Sequence, residues 1–419
     1  MKLTILWFAA LVLAASVSAT AQSATPLPTP LAQLVAEALA NNTQISAANH
    51  AWRAATHVAQ QVRTLPDPTI TFQQLSVGSP KPFAGYTNSD FAYVGVGASQ
   101  EFPYPGKLGL RTQVAERKAD VQESEIEVIQ TDVADAVKAD YLQISYLKQT
   151  LIILRQNQSV LDQFIQDAIA HYQVGQGTQQ DVLQAQVKRT TLIRDITMHH
   201  QEMGKIQAHL KGLLHRDQGS GDIEPEDLTE SPLKLTSAGL LDLVRQRNPE
   251  VQEEQSSLRQ QQAQLASAKR EGKPDFELGY IYQNTDRKYR DYYMLTLNVR
   301  FPRRKRVNAE ISEAAEKLGQ SRDVLDAQLQ QQLTATQQQY VQVTTDAELL
   351  KEYRDGLLPQ SDEAYRATLN SYAANREDFA HVLQYFTDLL NLKLDFAKTL
   401  ADHEMALARL ESLTGANLR

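Results

Sequence analysis

The chain alternates between long polar stretches with a narrow apolar seam and four short stretches in which apolar and polar residues alternate. In 107–171, Ile126, Ile129, Val133, Val137, Tyr141, Ile144, Leu147, Leu151 and Leu154 recur at spacings of three and four. In 305–371, Leu325, Leu329, Leu333, Tyr340, Val343, Ala347, Leu350 and Leu357 mostly do the same, with no proline before Pro359. This rhythm predicts two very long helices, each a polar rod with one apolar seam, as in a coiled coil. About 65 residues at 1.5 Å each make a rod of roughly 100 Å, which cannot fold back into a globule. Residues 28–64 and 236–271, rich in Ala, Gln and Glu, predict two further helices. Taken alone, the helices fit an ordinary fibrous coiled coil equally well.

The short stretches break that tie. Residues 275–283 place Phe276, Leu278, Tyr280 and Tyr282 on one face and Glu277, Gly279, Ile281 and Gln283 on the other. Residues 292–301 place Tyr293, Leu295, Leu297, Val299 and Phe301 on one face, with Thr296, Asn298 and Arg300 opposite. A polar loop, 284–291, joins them. Earlier in the chain, 69–77 and 91–102 form a similar pair around a longer loop rich in Gly, Pro and Ser. These lengths suit tilted transmembrane strands, and aromatics near the strand ends suit an interfacial girdle. In water such isolated hairpins are only marginally stable. Four strands cannot close a barrel, for which about eight is the practical minimum, and open edges do not occur in lipid. The chain must therefore oligomerise; the arithmetic alone allows two or more copies.

The chain is also written twice. Phe102-Pro103 recurs as Phe301-Pro302 and Tyr141 as Tyr340, both 199 residues on; Val182-Leu183-Gln184 recurs as Val382-Leu383-Gln384, 200 on. Upstream the offset grows: Asn42 matches Asn248 and Pro66-Asp67 matches Pro274-Asp275. The difference is the longer loop of the first hairpin. Each half reads helix, hairpin, very long helix, short break, helix. We place the first repeat at 22–216, an equatorial linker at 217–235 and the second repeat at 236–419.

Composition sharpens this reading. Gly (18) and Pro (15) together make up about 8% of the 419 residues, against roughly 12% in average usage, which leaves long stretches without a helix breaker. Zero cysteine rules out disulfides, thiolate metal sites, thiol catalysis and a lipid-modified N-terminal Cys. A formal charge of −8 argues against a general nucleic-acid binder. A mean hydropathy of −0.41 argues against a bundle of transmembrane helices. Residues 1–21 read as a secretory signal peptide: a basic start, the apolar run 3–15, and Ala19-Thr20-Ala21 as the cleavage site. With no second apolar run long enough to span as a helix, any membrane crossing must be made by strands.

Several local motifs now bear on identity. They are Leu65-Pro66-Asp67-Pro68 before the first strand; Gln100-Glu101-Phe102-Pro103-Tyr104-Pro105-Gly106-Lys107 with Arg111 after the second; and Tyr172-x-x-Gly175 leading to Asp181-Val182-Leu183-Gln184-Ala185-Gln186. With the duplication and the hairpin positions, the chain resembles the TolC-like outer-membrane efflux proteins over about 28–415. Its Pro-Asp-Pro and Phe-Pro-x-Pro-Gly-Lys runs are most similar to the heavy-metal (CzcC/CusC-like) branch. The resemblance implies a mainly α fold with a small transmembrane β part, assembled as a homotrimer. In it a twelve-stranded β-barrel in the outer membrane continues as a periplasmic α-barrel tunnel. It implies a periplasmic adaptor and an inner-membrane pump, of the RND type, as partners. The implied function is a passive exit duct for small molecules or metal cations, with no enzymatic activity and no cofactor. Type I protein secretion is an alternative within the class. A periplasmic coiled-coil scaffold without a barrel is the alternative from another class.

The helix breaks at 172–178 and 372–378 lie far from the hairpins and are the expected periplasmic tips. Val174, Gly175, Gly177 and Thr178 supply a tight reversal and a helix cap, and resemble the family's adaptor-docking turn. The second tip lacks glycine; Asn375 takes the left-handed position there. Glu377 and Asp378, repeated by symmetry, form either an acidic constriction that selects cations or simple caps of the last helix. Family resemblance extends a gating role to Tyr365 and Arg366, beside Tyr172 and Tyr372.

Little else suggests chemistry. His199-His200 and His403-Glu404 lack metal-site spacing and read as solvated helix positions. Gly95-Val96-Gly97 lacks the third glycine of a dinucleotide loop. The run Arg303-Arg304-Lys305-Arg306 after the last strand reads either as an anchor for phosphate headgroups or as a solvated helix start.

Overall fold

The computed structural model describes residues 28–87, 89–285, 290–374 and 376–418. The signal segment 1–21, Asn375 and the middle of the second hairpin loop lie outside them. The elements run α1 (Leu31–Asn41), α2 (Thr43–Arg63), β1 (Thr69–Leu75), β2 (Tyr93–Phe102), α3 (Lys107–Gln173), α4 (Gln179–Leu213), α5 (Ser237–Arg247) and α6 (Pro249–Glu271). They continue with β3 (Asp275–Asn284), β4 (Asp291–Arg300), α7 (Arg304–Glu352), a π-turn (Tyr353–Leu357), α8 (Leu358–Ala373) and α9 (Phe379–Thr414).

Three differences from the sequence pattern have local causes. First, 28–64 is two helices, divided at Asn42, and 236–271 is two, divided at Asn248. The two asparagines do the same work 206 positions apart. Asn42 Oδ1 accepts from Gln44 N (2.8 Å), and its amide donates to Leu213 O (3.2 Å) at the end of α4. Asn248 Oδ1 accepts from Val251 N (3.0 Å), and its amide donates to Leu413 O (2.9 Å) at the end of α9. Each caps one helix and closes an orphan carbonyl of another. They stack the two shorter helices of each half end to end beside the long one.

Second, the second rod is not continuous. Pro359 has no N–H to give, and its ring crowds the preceding turn. The chain widens into the π-turn, where Leu358 N reaches back to Tyr353 O, and then resumes as α8. Third, the two seams differ. In α3 every predicted seam residue except Ile129 is buried. In α7 only Val343 and Leu350 are. The reason is packing: α3 lies against α2 and α4 of its own half and α6 and α9 of the other, whereas α7 lies against α5, α6 and α9 only.

The four strands form one antiparallel sheet in chain order, β1-β2-β3-β4. Each strand runs directly into a helix, so the helices line up in the same order as the strands. The core is a line of three buried clusters. One near the tip is built from Leu161, Phe164, Val382 and Phe386; one at mid-length from Leu34, Val137, Tyr141 and Leu210; the third from Leu240, Leu407 and Leu410.

Candidate channel surfaces

The sheet has one apolar face and one polar face. The register pairs Phe72 with Val96, Val96 with Tyr282 and Tyr282 with Tyr293; it also pairs Leu278 with Leu297 and Tyr280 with Leu295. The apolar sets predicted for β3 and β4 thus share one face, and the face continues across the first hairpin through Ile70, Phe72, Val94 and Val96. This face is the exposed one: Phe72 is 83% exposed and Leu295 72%. The other face carries Thr71, Gln73, Ser99, Glu101, Glu277, Thr296, Asn298 and Arg300. Polar side chains reach across it, from Arg300 Nη1 to Glu101 (3.2 Å), Asn298 Nδ2 to Glu277 (3.3 Å) and Gln283 Nε2 to Gln73 (3.2 Å).

Glycine placement also distinguishes the two faces. Gly95, Gly97 and Gly279 all lie on the polar face. A Cβ on Gly97 would meet Ile281 Cγ1 at 2.8 Å, and one on Gly279 would meet Thr296 Oγ1 at 2.5 Å. On that side the neighbouring strand comes too close for a Cβ, and glycine is what permits the approach. A soluble sheet would bury its apolar face rather than expose it.

Where sheet meets helices, charges are buried. Lys107, at the start of α3, is 1% exposed. Its Nζ sits 2.9 Å from Asp275 and 3.4 Å from Glu271. Arg111 grips Glu271 with two bonds, 2.7 and 2.9 Å, and Tyr104 N donates to Asp275 (2.9 Å). Burial pushes the Glu271 carboxyl up, but the bonds and charges of Arg111 and Lys107 outweigh it and hold it below its ordinary value. The motif Pro105-Gly106-Lys107 with Arg111 is thus the clamp between strand and rod. Arg270 completes it by donating to Pro105 O (2.6 Å) and lying over the Tyr104 ring.

At the far end, the first tip closes as a tight reversal. Gly175 is left-handed (φ +74°), and Gln176 N reaches His171 O (2.9 Å). Thr178 and Asp181 form a reciprocal capping box. Val174 is exposed. The second tip repeats the closing bond, Arg376 N to Ser371 O (2.9 Å). Asn375, the position expected to be left-handed, lies outside the described residues.

The other predicted site residues are placed as follows. Asp378 occupies the N-cap position of α9 but its side chain makes no capping bond. Glu377 is bonded to His381 one turn into α9. That bond holds His381 above its ordinary value and Glu377 below. Tyr365 packs into the protomer's own core against Phe164 and Phe386, and Arg366 pairs with Asp362 on its own helix (2.9 Å). The link between helices at this end is one the sequence did not suggest: His171 Nδ1 lies 2.7 Å from Tyr372 Oη, joining α3 to α8. Beside the tip, α4 and α9 frame an open groove of about 850 Å³, with Leu183-Gln184 on one wall and Leu383-Gln384 on the other.

His403-Glu404 is a correction. The pair is buried, not solvated. Glu404 accepts from Ser231 N (2.7 Å) and Ser231 Oγ (3.0 Å), and His403 Nε2 faces Ser231 O (2.9 Å). The two residues pin the extended linker to α9. Its Pro- and Gly-punctuated sequence cannot form helix and takes its backbone partners from side chains instead. Among the described residues no three His, Asp or Glu side chains gather to hold a metal. No described helix is long and apolar enough to cross a membrane.

Known proteins agree with this architecture. Residues 34–191 match the family model described as outer membrane efflux protein. No curated protein matches the sequence. Among solved structures, the outer-membrane channel OprN shares the fold at 16% identity and a TM-score of 0.80, over 93% of this chain and 90% of its own. CusC, described with its transmembrane channel formation, matches at 14% identity and a TM-score of 0.78, over 93% of both chains. The outer membrane protein VceC from Vibrio cholerae matches at 16% and 0.78, over 93% of this chain and 97% of its own. At those identities the structures speak for the fold, and the similarity to the outer membrane efflux protein model is confined to residues 34–191.

Proposed function

We propose that the protein is the passive outer-membrane exit duct of a tripartite efflux system, working as a homotrimer. The observation that carries this reading is the inverted sheet. An exposed apolar face backed by a polar, hydrogen-bonded face is what a strand needs between lipid and a water-filled lumen. Three copies of the sheet, joined β4 to β1, would close a twelve-stranded barrel and remove both edges.

The rods support the same ring. Two flanks of the protomer are left apolar and open, with Val58, Leu183, Val187 and Met198 on α2 and α4, and Val324, Val341 and Leu349 on α7. They lie at opposite ends of the helix row, on the same sides as the β1 and β4 edges. Contact between unlike surfaces generates a ring when the rotation closes. The α-barrel so formed continues the pore into the periplasm over roughly 100 Å, the length of the 67-residue α3.

In this reading 1–21 directs export, 22–216 and 236–419 are duplicated repeats, and 217–235 is a belt around the tunnel's middle. A periplasmic adaptor docks at the tip through Val174, Gly175, Gly177, Thr178 and Asn375. An inner-membrane pump of the RND type supplies energy and selects the substrate, small molecules or metal cations. The duct needs no catalytic group. Three copies of Glu377 and Asp378 ring the tip opening and favour cations, while Tyr365 and Arg366 fix α8 behind them.

The test is whether the full-length protein, expressed in cells with an outer membrane, migrates as a heat-modifiable trimer from that membrane's fraction and forms channels in planar bilayers. A soluble periplasmic monomer without conductance would overturn the reading.

A further inference from the structure

The helix-side rim of the apolar sheet face ends in a cluster that neither the pore nor the clamp uses. Phe301 is 75% exposed, and Phe102, two strands away on the same rim, is exposed as well. Directly after Phe301-Pro302 come Arg303, Arg304, Lys305 and Arg306, all exposed. Arg306 is paired, with Glu310 at 2.8 Å. Arg303, Arg304 and Lys305 have no ion pair or hydrogen bond from their side chains among the described residues. The clamp a few residues away, by contrast, pairs every one of its cations.

The placement is electrostatically unfavourable as it stands. Four cations crowd the cap and first turn of α7, where the helix dipole is positive and acids are favoured. Arg303, at the cap position, provides no side-chain acceptor. Like charges at one helix start, unrelieved within the protomer, fit an anion supplied from outside. The exposed aromatic next to them belongs at a lipid–water boundary, where one end is apolar and the other wet.

We propose that Arg303, Arg304 and Lys305, with Phe301 as the apolar anchor, bind the phosphate of an anionic phospholipid headgroup in the leaflet at the helix side of the barrel. The inference rests on the outer-membrane reading above. Three copies make a basic collar at the point where barrel becomes tunnel. The collar fixes how deep the sheet sits, because the cations stop at the headgroups while the apolar face continues into the acyl chains.

The test uses the detergent-solubilised trimer, titrated with short-chain phosphatidylglycerol, short-chain phosphatidylcholine and inorganic phosphate, with bound lipid read by native mass spectrometry. Each cation near an anionic surface contributes about 1 kcal/mol, so replacing three (R303Q/R304Q/K305Q) should weaken phosphatidylglycerol binding by about 100-fold, less at high salt. Phosphatidylcholine binding should not change. The double variant R303K/R304K, with Lys305 kept, should retain the preference. Equal binding of the two lipids by the wild type, or unchanged phosphatidylglycerol binding by the triple Gln variant, overturns the proposal. So does inorganic phosphate binding as tightly as the lipid, which would make this a free-phosphate site. If no trimer forms, the channel reading fails and takes this proposal with it. If a conducting trimer shows no lipid preference, only the collar fails.

Discussion

The sheet and the rods of this chain follow opposite rules. In the rods, apolar residues turn inward: Leu161 and Val137 are fully buried, and the open surface is mostly polar. In the sheet, the apolar residues of one face are exposed and the polar ones line the opposite face. One sequence therefore encodes two solvents, and exposure means different things in its two parts. An exposed Gln on α7 is an ordinary surface residue. An exposed Leu295 is, in the channel reading, a lipid contact.

The boundary between the two regimes should be the most sensitive place. Lys107→Met keeps the volume but leaves Asp275 and Glu271 without their buried cation. Removing one partner of a buried pair costs roughly 3–5 kcal/mol, and the loss should appear as trimers that dissociate at lower temperature on electrophoresis. Glu271 adds a pH sign. Its carboxyl lies below the ordinary 4.5, so its contribution is full above that value and is lost as pH falls through the lowered one. The Lys107→Met trimer should lose this acid dependence in part, because Arg111 still holds Glu271.

Leu295→Arg and Leu161→Ala come next, and together they test the inversion directly. Leu161→Ala removes a buried side chain and should cost about 2–5 kcal/mol, as in any core. On a soluble surface Leu295→Arg would be nearly neutral, within about 0.5 kcal/mol. On a lipid face it should cost about 2–4 kcal/mol near mid-membrane. The measurement is urea unfolding of barrels reconstituted in lipid vesicles. A neutral Leu295→Arg would return the sheet to water.

Glycine substitutions should change sign between the regions. In the sheet, Gly97→Ala puts a Cβ 2.8 Å from Ile281 Cγ1 and 3.2 Å from Tyr280 O, and should cost about 1–3 kcal/mol by overpacking the polar face. In α4, Gly204→Ala meets nothing within 4 Å and should stabilise by roughly 0.5–1 kcal/mol. Thermal dissociation of the two trimers gives both signs in one assay.

How much of this was written in the sequence follows from the same contrast. Period-two alternation in 275–283 and 292–301 marked the strands and their faces, because each face meets a single solvent. The seam of α3 was equally plain, since that helix is packed on two sides. The seam of α7 was misleading: its pattern is cut for neighbours, including flanks left open in one protomer. The breaks at Asn42 and Asn248 were hidden because asparagine in a polar helix resembles surface until its partner, Leu213 O or Leu413 O, is seen across the fold. The same is true of His403-Glu404, whose partner is a linker residue about 170 positions away. The bond from His171 to Tyr372 joins residues 201 apart, and no local spacing encodes that.

The smallest effect lies at the tip, where rods end in water and neither rule dominates. Glu377 and His381 are exposed and bonded to each other, and Asp378 adds negative charge beside them. The bond to Glu377 raises His381 above its ordinary 6.5. The imidazolium is therefore fully present below 6.5 and is lost as pH rises through the raised value. Losing it leaves Glu377 as an unpaired anion, so a ring of three becomes more negative with rising pH. Cation preference in single-channel recordings should then increase across that window. His381→Asn should show the high preference at every pH in the window, and Glu377→Gln a lower one whose rise moves down toward the ordinary imidazole range. A wild-type preference that stays flat while both variants match it would leave the pair as a local helix-start contact and move the selectivity of the pore elsewhere along the tunnel.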